Sequence, residues 1–245
     1  MLSQNGHYYK GKEKIFIPVI EAVLNSRKRS FRLIDVGCGD GYLLRLLYKI
    51  LKKDKRFDID SIELVGIDRY DGYTECFNPA LDGNEKIRFH VDDLFNVDSI
   101  YGAQYFDFVI SVEVLEHVVE TDVFIKKLKH IMKPSGRLML TTPNLASYHG
   151  RFSLLFGFTP LVTEVSNECG SFGKGFLNKF YSGNSTETVF HVRVFTYRAL
   201  LEFLPYHRFN ILSVRGLDYK VPWFWKKLPS LSPILFLVCE HSATV

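Results

Sequence analysis

The chain has little with which to cross-link itself. Among its 245 residues are four cysteines, Cys38, Cys76, Cys169 and Cys239, and no two form a C-x-x-C pair. That spacing excludes a thiolate zinc site and a dithiol redox pair. Four isolated free thiols suit a reducing compartment. No run of 18 apolar residues occurs, so no transmembrane helix is expected. The stretch from Met1 to His7 has neither a basic n-region nor an apolar core, so no signal peptide is expected and the expected location is cytoplasmic. The net charge is only +4, and the basic residues are scattered. A strong nucleic-acid footprint would cluster them. No internal repeat is evident.

What remains is ordinary for a globular protein: 47% hydrophobic and 24% charged residues. The length suffices for one large α/β domain with a substantial core. The most informative stretch is Leu33-Ile34-Asp35-Val36-Gly37-Cys38-Gly39-Asp40-Gly41. A strand-like apolar run enters three glycines spaced by two, and the helical pattern Leu43, Leu44, Leu46, Leu47, Ile50 follows. Strand, glycine turn and helix build a nucleotide pocket at the carboxyl edge of an open sheet. A dinucleotide loop reads G-x-G-x-x-G and cradles a pyrophosphate. Here the third glycine comes one residue early. An acid, Asp35, precedes the first glycine, and it suits a cationic amino group.

The pattern predicts a helix over Pro18–Asn25 and strands over Phe31–Val36, Ser61–Ile67, Ile87–Val91, Phe106–Val112, Arg137–Thr142, Phe209–Val214 and Ile234–Glu240. Further helices are predicted from Tyr42 to about Lys52, Thr121 to Met132 and Tyr197 to Leu204. Residues 71–85 read as loop. The alternation predicts a parallel sheet with helices on both faces. The rhythm breaks after Pro143. Residues 145–190 carry six glycines with aromatics between them and few helix signals. So long a connection at a carboxyl edge suits a lid or binding loop.

Asp35, Gly37, Cys38, Gly39 and Gly41 resemble motif I, D/E-x-G-x-G-x-G, of the class I S-adenosylmethionine-dependent methyltransferases. Phe106-Asp107 to Val118 resembles motif IV of that family, and Pro134-Ser135-Gly136 its later proline-glycine turn. The resemblance is close over residues 31–144 and looser over 191–240. It implies a Rossmann-like, doubly wound, mostly parallel seven-stranded sheet, one methyltransferase domain over 1–245 and S-adenosylmethionine as cofactor. Asp68, ending the second strand, would take the ribose hydroxyls, although a turn aspartate is common there. Asp92, or its neighbour Asp93, would read the adenine amino group, although either equally suits a cap. Glu113 is expected over the cofactor.

Within Glu113-Val114-Leu115-Glu116-His117 the acids are three apart, and His117 follows Glu113 by four. On one helical turn all three point to one side. His191 lies beyond the candidate lid. Two carboxylates and two imidazoles suit a divalent cation. The pattern resembles small-RNA 3′-terminal 2′-O-methyltransferases, where such residues hold Mg2+ or Mn2+. With Thr142-Pro143-Asn144 it also resembles ubiquinone-pathway O-methyltransferases and the broad methyltransferase type 11/12 group. The other readings make Glu113 and Glu116 turn caps and His117 a packing residue, or leave His117 or His191 as a lone base. The expected acceptor is a small molecule, sugar, quinone or glycolipid. RNA is the alternative, hinted at by Lys174, Lys179 and Phe180.

Three rivals are weaker. A nicotinamide oxidoreductase would want G-x-G-x-x-G and an acid nearer than Asp68. A propylamine transferase would want a more acidic lid. A cofactor-binding homologue without activity is compatible with the same loop. Trp223 and Trp225, flanked by Lys226 and Lys227, suit an interface or packing between the last strands.

Overall fold

A computed structural model describes residues 13–26, 28–69, 86–182, 186–218 and 227–242. The predicted loop at 71–85, both tryptophans and Cys76 lie outside them. Seven strands form one sheet: β1 Arg32–Val36, β2 Glu63–Asp68, β3 Ile87–Val91, β4 Phe106–Val112, β5 Met132–Pro143, β6 Phe209–Leu217 and β7 Ile234–His241. Their order is β3-β2-β1-β4-β5-β7-β6. All neighbours are parallel except those of β7, which runs antiparallel to both β5 and β6. The strand order reverses between β1 and β4. That is where an open α/β sheet leaves a crevice at its carboxyl edge.

The sequence supplies both faces of this sheet. Side chains alternate sides along a strand. Leu33, Leu64, Phe108, Ile110 and Met139 point to one face. There they meet α1 (Glu13–Leu24) through Ile15, Val19 and Val23, and α2 (Tyr42–Lys53) through Leu43, Leu44, Leu47 and Leu51. Ile34, Val65, Ile67, Val109 and Leu140 point to the other face. They meet α3 (Val97–Tyr101) through Val97, and α4 (Thr121–Ile131) through Phe124, Ile125 and Leu128. α7 (Tyr197–Tyr206) adds Leu200 and Leu204. Strands buried on both faces read as continuous apolar runs. β4 is buried along its whole length.

Several expectations are corrected. α1 begins five residues before Pro18, because Ile15 and Phe16 are buried against the sheet. β5 begins at Met132 rather than Arg137. Its register with β4 jumps from Phe106–Met132 to Phe108–Arg137, so the proline-glycine turn is a bulge inside the strand. Residues 145–190 are not plain loop: they hold α5 (Tyr148–Leu155) and α6 (Phe176–Ser182). α5 buries only Gly150 and Ser153, so it has no apolar period to betray it. No helix among the described residues is long and apolar enough to cross a membrane.

Asp107, the acid of the F-D pair, sits at the amino end of β4, away from the crevice. Lys28 and Lys133 donate to its two oxygens at 2.5 and 2.7 Å, and the Arg32 amide donates at 3.0 Å. These bonds outweigh partial burial and hold its pKa below the usual carboxylate range. A depressed pKa stabilises the fold above the unfolded value of about 3.9, and that contribution is lost as pH falls through the folded value. Asp107→Asn should cost about 1–2 kcal/mol at pH 7 and less as the pH falls below about 4. Urea denaturation across that pH range checks this.

Candidate active site

The loop between β1 and α2 is shaped by its glycines. Gly37, Gly39 and Gly41 all have positive φ, at 83°, 55° and 73°. A Cβ on Gly37 would lie 2.3 Å from the Val114 side chain. The loop is tied to the end of β2. The amides of Gly37 and Cys38 donate to the Ile67 carbonyl at 2.8 and 3.1 Å, and the Gly39 amide donates to the Asp68 carboxylate at 2.9 Å. Beside it lies a small cavity lined by Phe16, Asp35, Gly37, Cys38, Leu43 and Val112.

Asp35 faces that cavity. It is only 2% exposed, and its Oδ1 has no hydrogen-bond partner. Burial first, and the Asp68 charge second, push its pKa up to about 8. A carboxyl so placed lacks a cation, and the amino group of an amino-acid ligand supplies one. Asp93 caps a short turn, accepting from the Phe95 amide at 2.9 Å. Asp92 accepts from the Asp93 amide and from Asn96 through Oδ1.

The Glu113–His117 stretch does not form the single helical turn that the spacing predicts. Glu113 has φ 54°, outside any helix. Only Leu115–His117 makes a 3-10 turn. Two threonines at the end of β5 hold the two acids apart. Thr141 donates to Glu113 Oε1 at 2.9 Å, and Thr142 donates to Glu116 Oε2 at 2.9 Å. Nothing in the sequence pattern gives either threonine a role. Their role depends on register, since Thr141 pairs with Val112 across the β4–β5 ladder.

Glu116 is fully buried and its Oε1 is left unbonded. Burial, then the Glu113 charge, raises its pKa well above the carboxylate range. The chain returns to it from far along the sequence. The amides of Val192 and Arg193 both donate to the Glu116 carbonyl, at 2.7 and 3.0 Å. This lays His191 beside His117, with ring centroids 4.9 Å apart. Glu116, His117 and His191 each offer a ligand atom within 4.8 Å of the other two. Glu113 is not in that group.

The tautomers follow from the bonds. His117 Nδ1 lies 3.2 Å from the Phe190 carbonyl, and His191 Nδ1 lies 2.8 Å from the Val162 carbonyl. A carbonyl only accepts, so each Nδ1 carries the proton and each Nε2 keeps its lone pair. Burial is the main cause that lowers both histidine pKa values, and nearby positive charge lowers them further. Both rings are therefore neutral at pH 7. Two basic nitrogens and a buried, half-bonded carboxyl converge at the carboxyl edge.

Asn144 has a structural task. It is buried, donates to the Ser230 and Ser232 carbonyls, and accepts from the Ala146 amide. Thr196 caps α7 by accepting from the Ala199 amide.

A family model described as a methyltransferase domain matches residues 8–182. The chain belongs to the S-adenosylmethionine-dependent methyltransferases. Over 131 residues this methyltransferase is 29% identical to the human mitochondrial ubiquinone biosynthesis O-methyltransferase, covering 51% of this chain and 32% of that protein. The ubiquinone biosynthesis O-methyltransferase of Bradyrhizobium diazoefficiens is 26% identical over 121 residues, covering 46% of this chain and 40% of that protein. The match thus spans well under half the length of these relatives. A protein of Pyrococcus horikoshii superposes with a TM-score of 0.62 at 16% identity, over 98% of this chain and 93% of that one. A Burkholderia thailandensis 1,6-didemethyltoxoflavin N1-methyltransferase, solved with S-adenosylhomocysteine, superposes with a TM-score of 0.58 at 14% identity, over 97% and 84%. Such distant likenesses show the fold alone, and the fold does not name an acceptor.

Asp35→Asn separates the roles of Asp35. A carboxyl raised by burial binds its proton more tightly folded than unfolded, so it weakens the free protein as pH rises from about 4 towards 8. At pH 8 the ligand-free variant should melt about 2–6 °C higher than wild type. Its affinity for S-adenosylhomocysteine should fall at least about tenfold. Melting curves and calorimetry check both signs.

Proposed function

We propose that this methyltransferase moves the sulfonium methyl group of S-adenosylmethionine to a hydroxyl oxygen of a small molecule, with the acceptor's proton taken at the Glu116–His117–His191 group. The carrying observation is the pair of neutral imidazoles, each holding its proton on Nδ1 against a carbonyl and presenting a basic Nε2. The shared name of the curated relatives supports an oxygen acceptor, and a quinone-type aromatic hydroxyl ahead of a sugar, a glycolipid or RNA.

In this reading Asp35 takes the cofactor's amino group. Gly37, Cys38, Gly39 and Gly41 let its backbone lie close, and Asp68 takes the ribose hydroxyls. Asp92, or its neighbour Asp93, reads the adenine amino group. Glu113, fixed by Thr141, borders the crevice. The acceptor oxygen attacks the methyl carbon in line with the carbon–sulfur bond. The new carbon–oxygen bond forms as that bond breaks, and sulfur keeps the electron pair. The hydroxyl proton goes to a histidine Nε2. Positioning alone supplies about 7–11 kcal/mol to such a displacement.

The orphaned Oε1 of Glu116 supports a second element of the proposal. Glu116, His117 and His191 fit a divalent cation, and their mixed nitrogen and oxygen donors suit Mn2+ better than Mg2+. Such an ion, when bound, would lower the hydroxyl pKa. Residues 145–190 are proposed as the cover of this pocket.

Labelled S-adenosylmethionine and a panel of hydroxyl acceptors test the reading. His191→Ala should lower the rate by about 10²–10⁴-fold. Loss of activity in EDTA with recovery in Mn2+ would assign the cation. Resistance to EDTA with loss in His191→Ala would assign the base alone. Full activity under both treatments would remove both. With neutral histidines required, the rate should be level above about pH 6.5 and fall only below it.

A further inference from the structure

His191 sits on a stretch that belongs to no helix or strand. Residues 186–194 are irregular. Val189, Phe190 and Val192 are exposed, so little apolar burial fixes the stretch either. Hydrogen bonds hold it on both sides of the ring. After the ring, the Glu116 carbonyl holds the amides of Val192 and Arg193. Before it, the amides of Val189 and Phe190 both donate to the Glu164 carboxylate, one to each oxygen and each at 2.8 Å. Phe190 has φ 58°, a left-handed conformation that a bulky side chain rarely adopts without support. Its carbonyl is the one that His117 Nδ1 meets. The short turn that carries Glu164 also reaches His191 directly. The Thr163 amide and hydroxyl both donate to the Pro160 carbonyl, at 3.0 and 2.9 Å, and Val162 within this turn presents its carbonyl to His191 Nδ1.

We propose that Glu164 is the positioning residue of the imidazole pair. Its grip on two successive amides fixes the Phe190 carbonyl against His117 and holds His191 against the Val162 carbonyl. Both rings then keep their proton on Nδ1 and leave Nε2 able to take one. Two charge-assisted bonds fix an orientation where one would leave a pivot. Glu164 is not a member of the Glu116–His117–His191 group, so it acts through the rings and not on the acceptor. Misplacing a reacting group by about 1 Å can cost about 10²-fold in rate, which is the scale on which such a clamp matters. This inference rests on the methyl-transfer reading only for what the rings do; their placement stands on the clamp itself.

The test is nitrogen-15 NMR of the histidine rings in the full chain, which reads each tautomer without turnover. In wild type at neutral pH, His117 and His191 should both carry the proton on Nδ1. Glu164→Gln keeps one acceptor oxygen and turns the other into an amide nitrogen that cannot accept. Glu164→Ala removes both. The Nδ1-protonated form of both rings should decline in Glu164→Gln and decline further in Glu164→Ala. His207 and His241 are internal references, since each bonds through Nε2, to Asp122 at 2.8 Å and to the Met132 carbonyl at 3.1 Å. Their signals should not move, and affinity for S-adenosylhomocysteine should stay within about twofold. With catechol as acceptor, kcat should fall at least about tenfold while KM for S-adenosylmethionine is unchanged. Wild-type rings protonated on Nε2, or rings unmoved in both variants, would overturn the proposal. So would parallel changes at His207 and His241, or lost S-adenosylhomocysteine binding, which mark a general loosening of the fold. Tautomers that change as expected beside an unchanged kcat, or in a wild type that methylates no hydroxyl acceptor, would sink the proposed reaction and leave the clamp standing.

Discussion

Two buried carboxyl oxygens at the carboxyl edge of the sheet, Asp35 Oδ1 and Glu116 Oε1, lack a hydrogen-bond partner. Leaving such a group unbonded away from water costs about 1–3 kcal/mol, and more when it is charged. The rest of the molecule makes this arrangement tolerable. A sheet buried on both faces supplies the apolar core, and its strand order opens the crevice at this edge. Each oxygen is short of what a different ligand would provide: a cation for Asp35, a proton or metal ion for Glu116.

The groups are held by strand register more than by local sequence. Gly37 lies against Val114, so the cofactor loop and the Glu113–His117 stretch are mechanically one piece. Thr141 and Thr142 fix one carboxyl each. The Glu116 carbonyl then captures Val192 and Arg193 and brings His191 across. A change at any of these joints moves the proposed reacting groups relative to the glycine loop. Asp107, at the other end of β4, is tied instead to Lys28, Lys133 and the Arg32 amide.

Much of this was legible in the residues. The glycine spacing, the acids at the ends of β1 and β2 and the apolar runs predict the strands along the chain and a sheet covered on both faces. They do so because a buried strand and an amphipathic helix each have a period that burial imposes. The pairing of His117 with His191 was legible only as a family pattern, since 73 positions separate His117 from Phe190, whose carbonyl anchors its ring. The left-handed Glu113, the bulge at Pro134–Gly136 and the roles of Thr141 and Thr142 were not legible. Each depends on which strand lies beside which, and in what register. Helix α5 escaped because its leucines, Leu154 and Leu155, are exposed.

Cofactor binding gives the most direct measurement of the central claim. With its pKa pushed up to about 8, Asp35 is mostly protonated in the free protein at pH 7. Pairing with a cationic amino group makes it ionise. Calorimetry of S-adenosylhomocysteine binding at pH 7, in buffers of differing ionisation enthalpy, should therefore find about one proton released per ligand bound, and none released by Asp35→Asn. Tight binding to the wild type with no proton released would contradict the account.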